Sequence, residues 1–197
     1  NQTDSYDNNC NFTLLDYTSL ASSTDNCDPN PIITQLPVAG TIISSDTSII
    51  TLLSTDLSGN VSISCSFYLF LTDTIKPIIN CPPNQTDSYD TNCTFALLDY
   101  TSLATSTDNC DPNPIVTQFP TAGTIITSDT STIRLVSTDS SGNISDSCSF
   151  KLFLIDTIIP VISCPQSQTD SYDTNCTFTL LDYTSLATST DNCDPNP

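Results

Sequence analysis

"STDNCDPNP" occupies residues 23–31, and the same nine letters stand again at 106–114 and at 189–197. The numbering advances by 83 from Cys27 to Cys110, and by 83 again from Cys110 to Cys193. Self-similarity at a fixed period sets an architecture before any local reading does. The rest of the chain keeps the same step: "NQTDSYD" at 1–7 returns at 84–90, "QTDSYD" at 168–173, and "LLDYTSLA" stands at 14–21, 97–104 and 180–187. A period of this length can enclose a small core of its own, so the pattern predicts beads rather than the coils of a solenoid. The chain starts and stops in mid-period, which reads as a window from a longer array.

Charge narrows the partners. There are 22 acidic residues against three basic ones (Lys76, Arg134 and Lys151), a net charge of −19, and no His, Met or Trp. Binding a polyanion needs a basic footprint that three cations do not make, so nucleic acid and anionic membrane are poor partners. The acids are spread through turn segments, the pattern of a solvated surface. No apolar run approaches the roughly 18 residues of a spanning helix, so no membrane insertion is expected in this segment.

The ten cysteines fall at Cys10, Cys27, Cys65, Cys81, Cys93, Cys110, Cys148, Cys164, Cys176 and Cys193, four to a period. An even number in a small strand-rich unit predicts disulfides and an oxidising, extracellular or cell-surface setting. Zinc is the rival use of four cysteines, but steps of 12, 17 and 38 from one to the next lack the short knuckles such sites use. Four cysteines allow three pairings, and spacing alone leaves them open: Cys81 with Cys148 and Cys93 with Cys110, or Cys81 with Cys93 and Cys110 with Cys148, are the two that a sandwich accommodates.

One full period, 73–155, reads as short strands between turns. "KPIINC" (76–81) begins with Pro, as edge strands tolerate. "CTFALLDY" (93–100), "PIVTQF" (114–119), "TIIT" (124–127), "TIRLVSTD" (132–139) and "ISDSCSFKLFLID" (144–156) follow. In the last of these Cys148, Phe150, Leu152 and Leu154 alternate with polar residues, marking one buried face. "SSGN" (140–143) is a tight turn whose Gly and Asn tolerate positive φ. The expected fold is all-β, an antiparallel sandwich of immunoglobulin-like type.

The string "DTIKPIINCP" (73–82), "NCTF" (92–95), "STDNCDPN" (106–113), "STDSSGN" (137–143) and "SCSF" (147–150) resembles the hyalin repeat (HYR) family. Every piece recurs through the chain, so the resemblance covers all of it. It departs from the family pattern before the penultimate strand, where the chain has "FPTAG" (119–123) followed by "TIITSDT" (124–130). The resemblance implies tandem immunoglobulin-like extracellular modules of adhesive and cell-surface proteins. It divides the chain into a repeat lacking its first strand (1–72), a complete repeat (73–155) and the start of a third (156–197). Family members with two cysteines keep the positions that resemble Cys81 and Cys148, which implies a Cys81–Cys148 pair and leaves Cys93–Cys110, Cys10–Cys27 and Cys176–Cys193. Cys65 and Cys164 would then bond to residues outside this chain.

Such a topology would gather Asp73, Asp108, Asp111 and Asp139 at one end of a bead, facing its predecessor. Clustered carboxylates at a junction suit Ca²⁺, which takes six to eight oxygen ligands; the same acids before "NC" and "SGN" also suit plain turn capping. N-x-[ST] acceptors stand at Asn1, Asn11, Asn60, Asn84, Asn92, Asn143 and Asn175, and "DTI" would offer Thr74 and Thr157 to bacterial O-glycosylation, so covalent glycans are a further expectation.

Catalysis is poorly provided for: there is no His to serve as base, the cysteines are committed to bridges, and no serine lies in a nucleophile motif. The expected role is a structural or adhesive segment of a surface fibre, stalk or filament, touching neighbouring repeats and identical chains. The alternative is a module that recognises a glycan or protein ligand. Tyr89 and Tyr100 are its candidate aromatics, although a tyrosine packed beneath a loop explains their recurrence as well.

Overall fold

A computed structural model describes residues 1–197. It contains strands, turns and three single-turn 3₁₀ segments (Thr18–Leu20, Thr101–Leu103 and Thr184–Leu186), and no α-helix. The first strands are β1 (Gln2–Ser5), β2 (Phe12–Thr13), β3 (Ile32–Leu36), β4 (Ile42–Ile43), β5 (Thr47–Thr55), β6 (Cys65–Thr72) and β7 (Ile78–Asn80). Next come β8 (Gln85–Ser88), β9 (Phe95–Ala96), β10 (Thr105–Thr107), β11 (Ile115–Phe119), β12 (Ile125–Ile126), β13 (Thr130–Thr138) and β14 (Cys148–Ile155). The chain closes with β15 (Val161–Ser163) and β16 (Thr188–Thr190). It divides into two compact units, residues 1–80 with 104–117 and 135–148, and residues 81–103 with 118–134 and 149–197.

In the first unit a four-stranded sheet runs in the order β1-β6-β5-β3. β5 pairs antiparallel with both neighbours, whereas β1 lies parallel to β6, Gln2 opposite Leu69 and Ser5 opposite Thr72. Alternation decides which side is buried. Leu69 and Leu71 of β6, with Ile50 and Leu52 of β5, point inward against Phe12 and Ile43 of the short β2–β4 pair. Tyr6, Leu14 and Tyr17 complete this core, and Tyr17 meets Phe67 edge-on at 5.5 Å. Each fully buried aliphatic here stabilises the sandwich by roughly 1.5–3 kcal/mol. A second pair, β7 with β10, sets Ile78 opposite Thr107.

A second four-stranded sheet has the order β11-β13-β14-β8. In the second unit β8 is parallel to β14, Gln85 opposite Leu152, while β9 pairs with β12 and β15 with β16. Phe150, Leu152 and Leu154 of β14 are buried, as the alternation in "SCSFKLFLID" requires, and Tyr100 packs edge-on against Phe150 at 5.4 Å. Gly142 turns the "SSGN" segment at φ +89°, and its N–H donates to the Asp139 carbonyl at 3.2 Å.

The strand lying parallel to the last one is β8, cut from the polar stretch "QTDS", and not the "KPIINC" strand. The latter forms β7 and pairs with β10 instead. A four-residue strand of Gln, Thr, Asp and Ser, with none of them fully buried, carries no apolar alternation, so the pattern that marks β14 is missing from β8 although backbone pairing holds it.

Both prolines of "QLP" and "QFP" follow cis peptide bonds, Leu36–Pro37 and Phe119–Pro120. Each of these turns is clamped by the glutamine two residues before its proline. Gln35 accepts the Tyr17 N–H at 2.7 Å and donates to the carbonyls of Leu15 (2.9 Å) and Pro37 (3.1 Å). Gln118 repeats all three bonds with Tyr100, Leu98 and Pro120.

Candidate functional site at the TDNC loop

The loop "DNCDPN" (108–113) after β10 divides several tasks among its polar residues. Asp108 caps the turn, its Oδ1 accepting the N–H groups of Cys110 and Asp111, both at 3.0 Å. Asn109 donates its amide to the Asp7 carbonyl at 3.1 Å and to Asp73 Oδ1 at 3.2 Å. Asp111 accepts the Asn113 N–H at 2.8 Å and, through Oδ2, the Ser140 N–H at 2.8 Å, which ties this loop to the "SSGN" turn. Asn143 of that turn donates to Asp139 Oδ2 at 2.8 Å and to the Asp73 carbonyl at 3.1 Å.

Cys110 bonds to Cys10, with 4.9 Å between their Cα atoms and 100 residues between them in sequence. Cys93 bonds to Cys193 across an equal separation of 100 residues. These bonds overturn the expected Cys93–Cys110, Cys10–Cys27 and Cys176–Cys193 pairs; Cys27 and Cys176 are free and exposed, as are Cys65 and Cys164. Cys81 and Cys148 are both disulfide-bonded. The cause lies in strand direction. Because β1 runs parallel to β6, the turn after β1 lies at the end where β6 passes the chain on to β7. β7 pairs with β10, and β10 leads into Cys110. Cys27 is the nearest downstream cysteine within the period of Cys10, whereas its actual partner lies one period further on. In the chain-entropy picture a bond closing 100 residues stabilises by about 4.7 kcal/mol.

Local sequence prepares the cysteine for this bond. Cys10, Cys93 and Cys176 hold φ of 56°, 54° and 56°, a left-handed conformation that costs a non-glycine residue roughly 1–2 kcal/mol. Asp7 enforces it: its Oδ1 accepts the N–H groups of Asn9 (2.8 Å) and Asn11 (2.9 Å), and Asp90 does the same for Asn92 and Thr94. Those bonds hold the Asp90 carboxyl below the usual carboxylate range, the Thr94 N–H acting most strongly.

Of the four acids singled out for calcium, three come together. One carboxylate oxygen each from Asp73, Asp108 and Asp139 lies within 4.8 Å of the other two. Asp111 is spent on the two turn bonds above and stays outside this group. Asp73 and Asp139 are buried, and Asp108 is half-buried. Asp108 Oδ1 caps its turn while Oδ2 is buried with no partner, as is Asn109 Oδ1. The ion pair of Lys76 with Asp146 is exposed and involves none of the three carboxylates. This donor set is all oxygen and fits a hard divalent ion such as Ca²⁺.

Beside the disulfide lies a cleft of about 570 Å³ lined by Tyr6, Cys10, Asp46, Asp73, Cys110 and Ser140, among others. Tyr6 donates its hydroxyl to Asp46 at 2.8 Å. Burial, then this bond, push its pKa up to about 12. Tyr89 and Tyr100, considered as ligand-stacking aromatics, are buried in the core, and Tyr89 donates to Asp129 at 2.9 Å. Among the sequons Asn1, Asn60, Asn84, Asn92 and Asn175 are exposed, and Asn11 and Asn143 are half-buried. Thr74 and Thr157 are exposed as well. No helix is long and apolar enough to cross a membrane.

Residues 72–153 match the family model of the HYR domain. Hyalin of Strongylocentrotus purpuratus is 25% identical over 158 residues, which make up 78% of this chain and 13% of hyalin, so the chain spans a small part of that relative. Human mucin-like protocadherin EC1-2 aligns with a TM-score of 0.36 and 10% identity, covering 79% of this chain and 96% of that one. Protocadherin gamma B7 extracellular cadherin domains 1–4 align at 0.31 and 11%, covering 77% and 46%. Scores at this level do not bear on the fold, which rests on the strands and core described above.

Proposed function

We propose that the chain, whose residues 72–153 match the HYR-domain family model, is a non-catalytic structural and adhesive segment of an extracellular protein, built as tandem immunoglobulin-like repeats and assembled into a fibre, stalk or filament. The observation that carries this reading is the TDNC loop, which spends its residues on joining. Asn109 and Cys110 reach back 102 and 100 residues to Asp7 and Cys10, and Asn192 and Cys193 reach back equally far to Asp90 and Cys93. The tandem reading, with repeats at 1–72, 73–155 and 156–197, is supported by strands that recur at one step: β1 and β8 start at Gln2 and Gln85, β6 and β14 at Cys65 and Cys148. Disulfides placed at a junction suit an oxidising exterior, and the similarity to hyalin agrees with an adhesive surface role.

Calcium belongs to this proposal. Asp73, Asp108 and Asp139 would hold the ion with Asn109 Oδ1 as a neutral ligand, and its charge would offset three carboxylates drawn together at the junction. Glycans on the exposed Asn92 and Asn175 would stand next to Cys93 and Cys176; the Asn143 amide is already engaged with Asp73 and Asp139.

Antibodies raised against this chain test the proposal on intact, non-permeabilised source material. Surface label in continuous threads is expected, and label confined to the cell interior would overturn it. A second reading, recognition of a glycan or protein ligand, is favoured by the acidic cleft beside Cys10–Cys110. Selective binding on a glycan array that is lost in Asp46→Ala would establish that reading instead.

A further inference from the structure

The two described disulfides have a topological property that neither has alone. Cys10–Cys110 and Cys93–Cys193 each close 100 residues, and the two loops overlap because Cys93 precedes Cys110. Residues 93–110 therefore belong to both loops. Followed along covalent bonds, the shortest route from Cys10 to Cys193 crosses the first disulfide to Cys110. It then runs backward along the chain to Cys93 and crosses the second disulfide. Seventeen residue steps separate Cys110 from Cys93, against 183 along the chain from Cys10 to Cys193.

We infer that the overlapping disulfides give this chain a short covalent tension path, which bypasses the folded sandwiches and makes the chain nearly inextensible. Tension applied at the two ends is carried by main-chain bonds, two S–S bonds and the short segment 93–110. Residues 11–92 and 111–192 lie off the route, so loss of their noncovalent structure releases no length. This differs from an ordinary string of beads, in which every bead that opens adds its whole contour to the thread. It holds whatever the surface of the chain binds, and it depends only on which cysteines are joined.

The numbers separate the alternatives widely. From Asn1 to Pro197 the crossed route contains nine, seventeen and four residue steps with two bridges of 4.9 and 5.0 Å between Cα atoms. At about 3.6 Å per step that is a limiting length of roughly 120 Å. Bonding within each period (Cys10–Cys27, Cys81–Cys148 and Cys176–Cys193) would leave roughly 350 Å, and a fully reduced chain roughly 700 Å.

Single-molecule stretching of the oxidised full chain, held at its two ends, reads this directly. A limiting length of roughly 120 Å is expected, rising about sixfold after reduction with a phosphine. Paired replacement of Cys10 and Cys110 by serine should give roughly 350 Å, because 96 residue steps then remain on the path. A length of roughly 350 Å for the unsubstituted oxidised chain overturns the inference. A second measurement needs no native fold. Trypsin has usable sites after Arg134 and Lys151 only, since Lys76 precedes Pro77. Digested in denaturant without reductant, the fragment 152–197 should remain attached through Cys93–Cys193. Its release as a separate peptide, the outcome expected of Cys176–Cys193, refutes the tension path.

Discussion

Asn109 donates its side-chain amide to the backbone carbonyl of Asp7 at 3.1 Å, across 102 residues of sequence, next to the disulfide made by its own neighbour. A backbone acceptor at this turn is thus matched to a side chain one period away. Replacing Asn109 with Ala removes this bond and the one to Asp73, at about 0.5–1.5 kcal/mol each. A fall in the thermal midpoint, with the Cys10–Cys110 bond still present by mass spectrometry, is the expected result.

Calcium should raise the thermal midpoint of the oxidised chain, and EDTA should reverse the gain. Asp108→Asn keeps the turn-capping oxygen but removes one of three converging charges. Its midpoint should therefore respond less to calcium while changing little in EDTA. An identical response in the variant would count against the site.

The glutamine clamp makes a strong demand on stability. Gln118→Ala leaves the Tyr100 N–H and the carbonyls of Leu98 and Pro120 without partners. The three bonds are part-buried or exposed, so water replaces them in part, and each contributes about 0.5–1.5 kcal/mol. Urea unfolding should shift by at least that amount. Gln118→Glu should be no rescue, since a carboxylate accepts from Tyr100 but presents lone pairs to two carbonyls.

Alkaline pH should weaken the first unit. With Tyr6 titrating at about 12 when folded and near 10 when unfolded, its stabilising contribution is complete below about 10 and is lost as pH rises toward 12. Absorbance titration should show several tyrosines ionising late, because burial raises Tyr17, Tyr89, Tyr100 and Tyr183 as well, and Tyr6→Phe should remove one of them and flatten the loss of stability over that window.

Acid acts on other groups. Asp90 is held below its ordinary range by the Thr94 and Asn92 N–H groups and the Thr94 hydroxyl, so the turn around Cys93 is stabilised above about pH 3.9 and loses that support as pH falls through the lower folded value. Asp173, beside Cys176, follows the same rule. Thermal midpoints measured from pH 6 to pH 2 should drop only below about 4, and Asp90→Ala should already sit lower at neutral pH.

The strands that bury aliphatic residues were legible in sequence because burial writes an alternating pattern: Phe150, Leu152 and Leu154 declare β14 unaided. β8 was not, since Gln85 to Ser88 are held by pairing with Leu152 to Ile155 and show no apolar period. The gathering of Asp73, Asp108 and Asp139 followed from topology, whereas Asp111 was misplaced because its turn role competes with clustering. Gln118 passed as an ordinary polar strand residue, although its place in "TQFP", recurring from "TQLP", was an available signal. The bond of Cys10 was hidden for a different reason. Identical "TDNC" loops make Cys27 and Cys110 indistinguishable by sequence, and only the direction of β1 beside β6 selects between them.

That same ambiguity faces the chain as it is made. Cys27 emerges from synthesis one full period before Cys110, and it sits in an identical loop much closer along the chain to Cys10. Loop closure alone favours the nearer partner by about 1.6 kcal/mol, roughly 14-fold. The first bond to form in a nascent chain is thus biased toward one that the folded molecule does not contain. Maturation requires that bond to be exchanged after the next period has been delivered. Under the proposed extracellular role the chain needs thiol–disulfide exchange as it folds, and yield in a purely oxidising buffer should fall well short of yield in a glutathione couple.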